Sequence, residues 1–329
     1  MCGIVGVFNT RTAKKKVDAA LALLQNRGRD GSGTMEVSEG VLGHTLHAVV
    51  NHVLQPIQNV KILDADQKTN KEANKKGGVI TANCEIYNWT ELNKKYSFHA
   101  KNDAELLLFF LDRFGISSLE ELDGVFAFAY YHESDHGGTI TLARDILGEK
   151  PLWFSLSPHF AFASEKKVLE QLAYRNIEEL NPRQILHYNT KQKKLSITLR
   201  PFFTFLPEHK ESYAQIKKTT ATLLNNAIEK RVPHQKCGLL FSGGIDSTYL
   251  AHYFKQHNHD VTCYTAVFDT DTTPRDLIAA QEIAKTLGLT LKIKKIKVDE
   301  IPHYLKKIVP LIEDSNVIKV GVALTFYLA

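Results

Sequence analysis

The sequence predicts two successive folds. Residues 1–200 read as an antiparallel α+β domain built on two packed sheets, and residues 201–329 as an α/β domain with a parallel sheet. Two observations carry this. Between Val125 and Thr198 strand-like segments follow one another with few helical stretches between them. From Tyr213 onward helical and strand patterns alternate, as they do when helices cover both faces of a parallel sheet.

The elements can be justified in order. The apolar run Gly3–Phe8 reads as a buried strand, and Lys14–Gln25 puts Val17, Ala20, Leu21 and Leu24 on one helical face. Asn26–Gly33 carries three glycines that permit positive φ and reads as a loop. Val41–Val50 reads as a strand, Val60–Gly77 as a polar, lysine-rich hairpin tip, and Gly78–Ala82 as a strand that runs into Asn83-Cys84-Glu85. Ala104–Phe114 is an apolar helix with Asn102-Asp103 as its cap. Val125–Tyr131, Thr139–Ala143, Leu152–Ser155 and Phe160–Ala163 are turn-bounded strands, and Asp135–Gly138 is the hairpin turn between the first two. Gln184–Tyr188 and Leu195–Thr198 form a further hairpin, and Pro201–Pro207 reads as an ordered linker. Helices follow at 213–230, 247–257, 275–287 and 299–308, with strands at 237–241, 261–267 and 290–296. Val317–Ala329 is a mostly apolar helix.

Bulk composition narrows the function. With 43% hydrophobic and 23% charged residues, the chain has the balance of a soluble protein. Its net charge of +5 is spread over short lysine runs, so nucleic-acid binding is not expected. No stretch reaches the roughly 18 apolar residues that span a bilayer. The four cysteines lie far apart, which argues against a structural zinc site and a disulfide scaffold and places the protein in a reducing cytoplasm.

Two stretches carry chemistry. Removal of Met1 would expose Cys2 with a thiol and an α-amine on one Cα, a nucleophile beside a base whose reference pKa is about 8. At the terminus alone, a small residue after an initiator Met reads equally well. The second stretch is Leu240-Phe241-Ser242-Gly243-Gly244-Ile245-Asp246-Ser247-Thr248, a strand that ends in a Ser-Gly-Gly turn and starts a helix at once. Backbone N–H groups at Gly243 and Gly244, the helix N-terminus and the hydroxyls of Ser242, Ser247 and Thr248 suit an anion, and Asp246 could hold a phosphate-bridging magnesium. The stretch lacks the Gly-Lys-Ser/Thr ending of a Walker A loop and resembles the PP-loop of ATP pyrophosphatases.

Together the two stretches resemble the asparagine synthetase (glutamine-hydrolysing) family, in which a class II glutamine amidotransferase domain precedes a PP-loop domain. Further stretches match in order along essentially the whole chain. Arg27-Gly28-Arg29-Asp30-Gly31 is similar to the family's Arg-Gly-Pro-Asp-Gly, Asn83-Cys84-Glu85-Ile86-Tyr87-Asn88 to its Asn-Gly-Glu-Ile-Tyr-Asn, and Asn102-Asp103-Ala104-Glu105 to its Ser-Asp-x-Glu. Leu122–Phe128, Arg144–Leu152 and Phe162–Glu165 fall at family positions as well.

The resemblance implies an N-terminal nucleophile (Ntn) fold followed by an incomplete PP-loop fold. It implies that Cys2 attacks the side-chain amide of glutamine, and that Asn83 and the N–H of Cys84 stabilise the oxyanion. Glu85 and Asp103 would hold the glutamine α-ammonium, Leu240 and Val267 would frame adenine, and Ser242–Thr248 would grip pyrophosphate. ATP and Mg2+ are the implied cofactors, with no prosthetic group. The implied product is asparagine, made from β-aspartyl-AMP and ammonia.

Three departures qualify this. Leu46 stands where the family has an arginine for the glutamine α-carboxylate, and losing such a pair costs roughly 2–5 kcal/mol. His44 or His47 could substitute in part. Cys84 replaces the oxyanion glycine, and would add strain if the backbone there needs positive φ. The chain also ends before the family's second Ser-Gly-x-Gly-x-Asp-Glu loop, so a separate polypeptide is expected to complete the ATP site, with a truncated chain as the alternative. The competing readings are a catalytically impaired regulatory or binding protein, and a PP-loop amidotransferase with another carboxylate acceptor or RNA.

Overall fold

The computed structural model describes residues 1–59, 77–202, 210–232, 236–269 and 273–329. They fall into two compact units, Met1–Pro207 and Glu208–Ala329. The segment Val60–Gly77, but for Gly77, and most of Pro201–Pro207 lie outside the described residues.

In the first unit the chain runs β1 (Gly3–Phe8), α1 (Ala13–Leu23), β2 (Gly31–Val37), β3 (Gly40–Leu46), β4 (Ile57–Gln58), β5 (Val79–Ile86), α2 (Trp89–Tyr96) and α3 (Asp103–Phe114). It continues through β6 (Gly124–Ser134), β7 (Gly137–Arg144), β8 (Trp153–Ser155), β9 (Ala161–Ala163), α4 (Lys166–Gln171), β10 (Glu178–Glu179), β11 (Gln184–Asn189) and β12 (Lys194–Leu199). The strands form two six-stranded antiparallel sheets, ordered β10-β8-β9-β1-β3-β2 and β12-β11-β7-β6-β5-β4.

Strand alternation explains the layering. Ile4 and Phe8 of β1 join Ala127 and Ala129 of β6 and Phe162 of β9 in the core between the sheets. Val5 and Val7 turn the other way, onto Val17 and Ala20 of α1 and Val168 of α4. Phe126 and Phe128 of β6 pack outward against Leu107, Leu108 and Leu111 of α3. The two sheets are thus sandwiched between helices, and β1 is buried on both faces. That is why its sequence is a continuous apolar run rather than an alternating one.

The structure corrects the sequence reading at three places. Gly31–Gly33 belong to β2 rather than to a loop, and none of Gly28, Gly31 or Gly33 has positive φ. Gly28 is needed for space, since a Cβ there would lie 2.5 Å from the Leu46 backbone. Strand β3 ends at Leu46, four residues short of Val50, and His47 onward lines a cavity instead. The helix α2 is a further element, although Trp89, Leu92 and Tyr96 fall at helical spacing and pack together with Leu106 and Phe110.

The second unit runs α5 (Tyr213–Glu229), β13 (Cys237–Leu240), α6 (Ile245–Gln256), β14 (Val261–Phe268), α7 (Arg275–Leu287), β15 (Thr290–Ile296), α8 (Ile301–Ile312) and α9 (Val317–Leu328). Strands β13, β14 and β15 form a parallel sheet in that order, as the alternating pattern predicts. Leu239, Phe241 and Cys263 pack with Ala251 and Phe254 of α6 and Ala280 and Ala284 of α7. Helix α9 leaves Val317, Ile318, Val322 and Phe326 exposed.

Candidate active site

Cys2 is held by its main chain before its side chain is considered. The Arg27 Nε donates to the Cys2 carbonyl at 2.9 Å, and the same guanidinium meets Glu165 at 3.3 Å. Next along β1, the Ile4 N–H donates to the Ser164 Oγ at 2.9 Å. Gly3 pairs with Thr45 on β3, which brings the thiol beside the residues that follow that strand. The His47 N–H donates to the Cys2 Sγ at 3.4 Å. Burial pushes the Cys2 thiol up, so it rests protonated at neutral pH and needs a base before it can attack. Met1 stands exposed at the cavity mouth.

Strand β5 supplies the opposite wall, and its ladder decides what that wall offers. Beyond Ile80 its outer edge has no strand partner among the described residues. The Ala82 N–H on that edge is capped by the Gln55 Oε1 at 2.8 Å, and the Ile86 N–H by an Asp103 carboxylate oxygen at 3.1 Å. Alternation points the N–H of Cys84, midway between them, to the same edge. Across the ladder Phe126 turns its own N–H and C=O to Asp145, so Cys84 and Phe126 are a non-hydrogen-bonded pair. The Cys84 amide is therefore left facing the cavity. One residue earlier, the Asn83 side chain is 2% exposed and its Nδ2 has no partner among the described residues. Among the described residues, two donors without acceptors thus stand side by side.

Cys2, Asn83, Cys84, Glu85 and Asp103 all line one cavity of about 300 Å³. Asp103 sits in the first turn of α3, behind the N-cap Asn102, whose Oδ1 accepts the Glu105 N–H at 2.9 Å. Burial raises the Asp103 carboxyl to about 6, against the pull of the Ile86 and Ala104 N–H bonds it accepts. Cys84 has no positive φ, so a side chain there costs no backbone strain. Its thiol is pushed well up by burial and by Asp103 beside it.

The two histidines near Leu46 contact other groups. His44 is fully buried, its Nε2 lies 3.2 Å from the Ala82 carbonyl, and burial lowers its pKa to about 4. It is a neutral donor that ties β3 to β5 across the two sheets. The His47 ring turns to Asp30, 3.6 Å away. Leu46 itself is buried and apolar.

The PP-loop residues form a separate group at the C-terminal end of the parallel sheet, where open α/β sheets bind ligands. Gly243 takes φ +74°, and a Cβ on it would lie 2.6 Å from the Ala280 nitrogen of α7. The Ser242 Oγ accepts the Gly244 N–H at 3.2 Å and lies 3.3 Å from the Ser247 Oγ. The Thr248 hydroxyl is buried without a partner among the described residues. Leu240 pairs with Tyr264, and Val267 lies three residues further along β14 toward the same end. Asp246 is exposed in the first turn of α6. Among the described residues no three His, Cys, Asp or Glu side chains are grouped to hold a metal. A magnesium at Asp246 would thus depend on phosphate and water for its other ligands, the usual arrangement at nucleotide sites.

Sequence reasoning missed Arg27, Ser164, Glu165 and Lys150 as parts of the first site, although the stretches that hold them had been singled out. Ser164 and Glu165 lie about 160 residues from Cys2, so only the β1–β9 pairing shows the contact.

A family model described as glutamine amidotransferase domain matches residues 1–223, and one described as asparagine synthase matches residues 219–329. The chain belongs to the asparagine synthetase family, with an N-terminal glutamine amidotransferase domain. It is 30% identical to asparagine synthetase 1 (glutamine-hydrolysing), so named provisionally, of Methanocaldococcus jannaschii, covering all of this chain and 64% of that protein. It is 26% identical to asparagine synthetase B (glutamine-hydrolysing) of Escherichia coli, covering all of this chain and 60% of that one. The chain spans about three fifths of the length of these relatives. Among the described residues no helix is long and apolar enough to cross a membrane.

Proposed function

We propose that the cavity of Cys2 hydrolyses the side-chain amide of glutamine. The observation that carries this reading is the pair of free donors, Asn83 Nδ2 and the Cys84 N–H, in the cavity that also holds the thiol. After removal of Met1, the Cys2 α-amine takes the thiol proton as Sγ attacks the amide carbon. The carbonyl oxygen becomes an oxyanion between the two donors. The amine then hands the proton to the departing nitrogen, which leaves as ammonia. Water hydrolyses the Cys2 thioester to glutamate. Asp103, with Glu85, takes the substrate's α-ammonium.

We propose further that residues 1–200 form this glutaminase and residues 201–329 the first part of a synthetase site. There Ser242–Thr248 would bind the pyrophosphate part of ATP with magnesium at Asp246, and Leu240 and Val267 would frame the adenine. Aspartate would become β-aspartyl-AMP with release of pyrophosphate, and ammonia would displace AMP to give asparagine. The relatives extend beyond the part this chain matches. The remaining synthetase residues, on a separate polypeptide or the rest of a longer chain, would complete the ATP site, and the exposed apolar face of α9 suits such a neighbour. The four free cysteines fit a reducing cytoplasm.

The competing reading, a binding module with an impaired glutaminase, is favoured by one observation, the apolar Leu46 where a cation is expected. Pyrophosphate release from ATP and aspartate, with ammonium or glutamine as nitrogen donor and with or without a complementing C-terminal chain, separates the readings. Ammonium-only activity would support the impaired glutaminase. Glutamine-supported activity would support the full reading.

A further inference from the structure

The cavity recognises a zwitterion if it offers one charge of each sign, and Asp103 supplies only the negative one. Lys150 lines the same cavity. Among the described residues its ammonium has no ion pair or hydrogen bond, although Glu85 and Asp103 line the same cavity. Its charge is felt at the Met1 amine and at the Cys84 thiol, which places it near both. We propose that Lys150 binds the α-carboxylate of glutamine, in place of the arginine that Leu46 has displaced. This rests on the glutaminase reading above.

The loop that carries Lys150 is built to hold it still. The Arg144 guanidinium, 4% exposed, donates to the Lys150 carbonyl at 2.6 Å and to the Gly148 carbonyl at 2.7 Å. The buried Asp145 carboxylate accepts the N–H groups of Glu149 at 3.0 Å and Lys150 at 3.2 Å. It accepts the Phe126 N–H as well, so the residue that frees the Cys84 amide is tied to the loop that presents Lys150. Gly148 takes φ +71° with a Cβ position only 2.5 Å from Pro182, which fixes the turn. An ordinary surface lysine has no such scaffold. The partial exposure of Lys150 fits a group that must meet a charged substrate from solvent. Substrate would then lie with its ammonium on Asp103, its carboxylate on Lys150 and its amide at Cys2.

The test compares two amides that differ by the carboxylate alone, glutamine and 4-aminobutanamide, with wild type, K150M and K150R. K150M is expected to raise KM for glutamine about 10- to 100-fold with kcat little changed. Its kcat/KM for 4-aminobutanamide should match that of wild type, and K150R should recover most of the glutamine affinity. An equal loss on both amides would overturn the assignment, since a merely structural lysine cannot sense the carboxylate. Glutamine hydrolysis in K150M at wild-type KM would overturn it too. Wild type that hydrolyses neither amide would instead remove the glutaminase reading on which the assignment stands.

Discussion

Cys84 faces Phe126 across a non-hydrogen-bonded position of the β5–β6 ladder, because Phe126 spends its own N–H and C=O on Asp145. The Cys84 amide is thereby released to the cavity, next to the unpaired Asn83 Nδ2. The Cys84 side chain turns toward Asp103.

Removal of the Asn83 donor is expected to lower kcat rather than raise KM. Asn83→Ala should reduce kcat for glutamine hydrolysis by about 10²–10³, the usual effect of losing one oxyanion donor. Steady-state kinetics checks this, with circular dichroism to show that the fold survives. An effect confined to KM would place Asn83 on the ground-state substrate instead.

The Asp103 carboxyl, raised by burial to about 6, gives a pH dependence with a definite sign. Above that value it is ionised and can pair with the α-ammonium. Below it the proton must leave before substrate binds, so KM for glutamine is expected to climb about tenfold per unit as pH falls below 6. Asp103→Asn should flatten that climb and raise KM at neutral pH. A KM independent of pH between 5 and 7 would contradict the assignment.

His44 makes the native state sensitive to acid. Its folded pKa of about 4 lies below the ordinary histidine value of 6.5, so the unfolded chain binds a proton first. Its contribution is complete above pH 6.5 and is lost as pH falls toward 4, by up to about 3 kcal/mol. Asp103 acts in the opposite sense over part of that range, because its pKa is raised on folding. Urea titrations of wild type and His44→Gln at pH 7 and pH 5 should show a smaller acid loss in the variant. Equal losses would remove His44 as the cause.

Gly243 combines φ +74° with a Cβ position in contact with the α7 backbone. Gly243→Ala is expected to destabilise the second unit by roughly 1–3 kcal/mol and to weaken nucleotide binding there. Thermal unfolding and ATP titration report the two effects. Glutamine hydrolysis should be unchanged, since the substitution leaves the first unit untouched.

Much of this was legible in the chain. The parallel sheet of the second unit follows from alternation of segments, and β1 from its apolar run. Short motifs at family positions single out Cys2, Asn83, Cys84 and Asp103, which the structure brings to one cavity. What escaped depended on spatial relations. Gly28, Gly31 and Gly33 looked like turn residues, because close approach of two backbones leaves the same signature as positive φ. His44 could be neutral or charged until its burial was known. Lys150, one lysine among many, acquires meaning only when the Asp145 scaffold places it in the cavity with Cys2.

The central claim is that Cys2 hydrolyses glutamine within a cavity completed by Asn83 and Cys84. Glutamate released from glutamine by the purified chain, wild type against Cys2→Ala, tests it most directly. The account predicts release by wild type and none above background by Cys2→Ala, with both variants folded. Equal release by the two would contradict it.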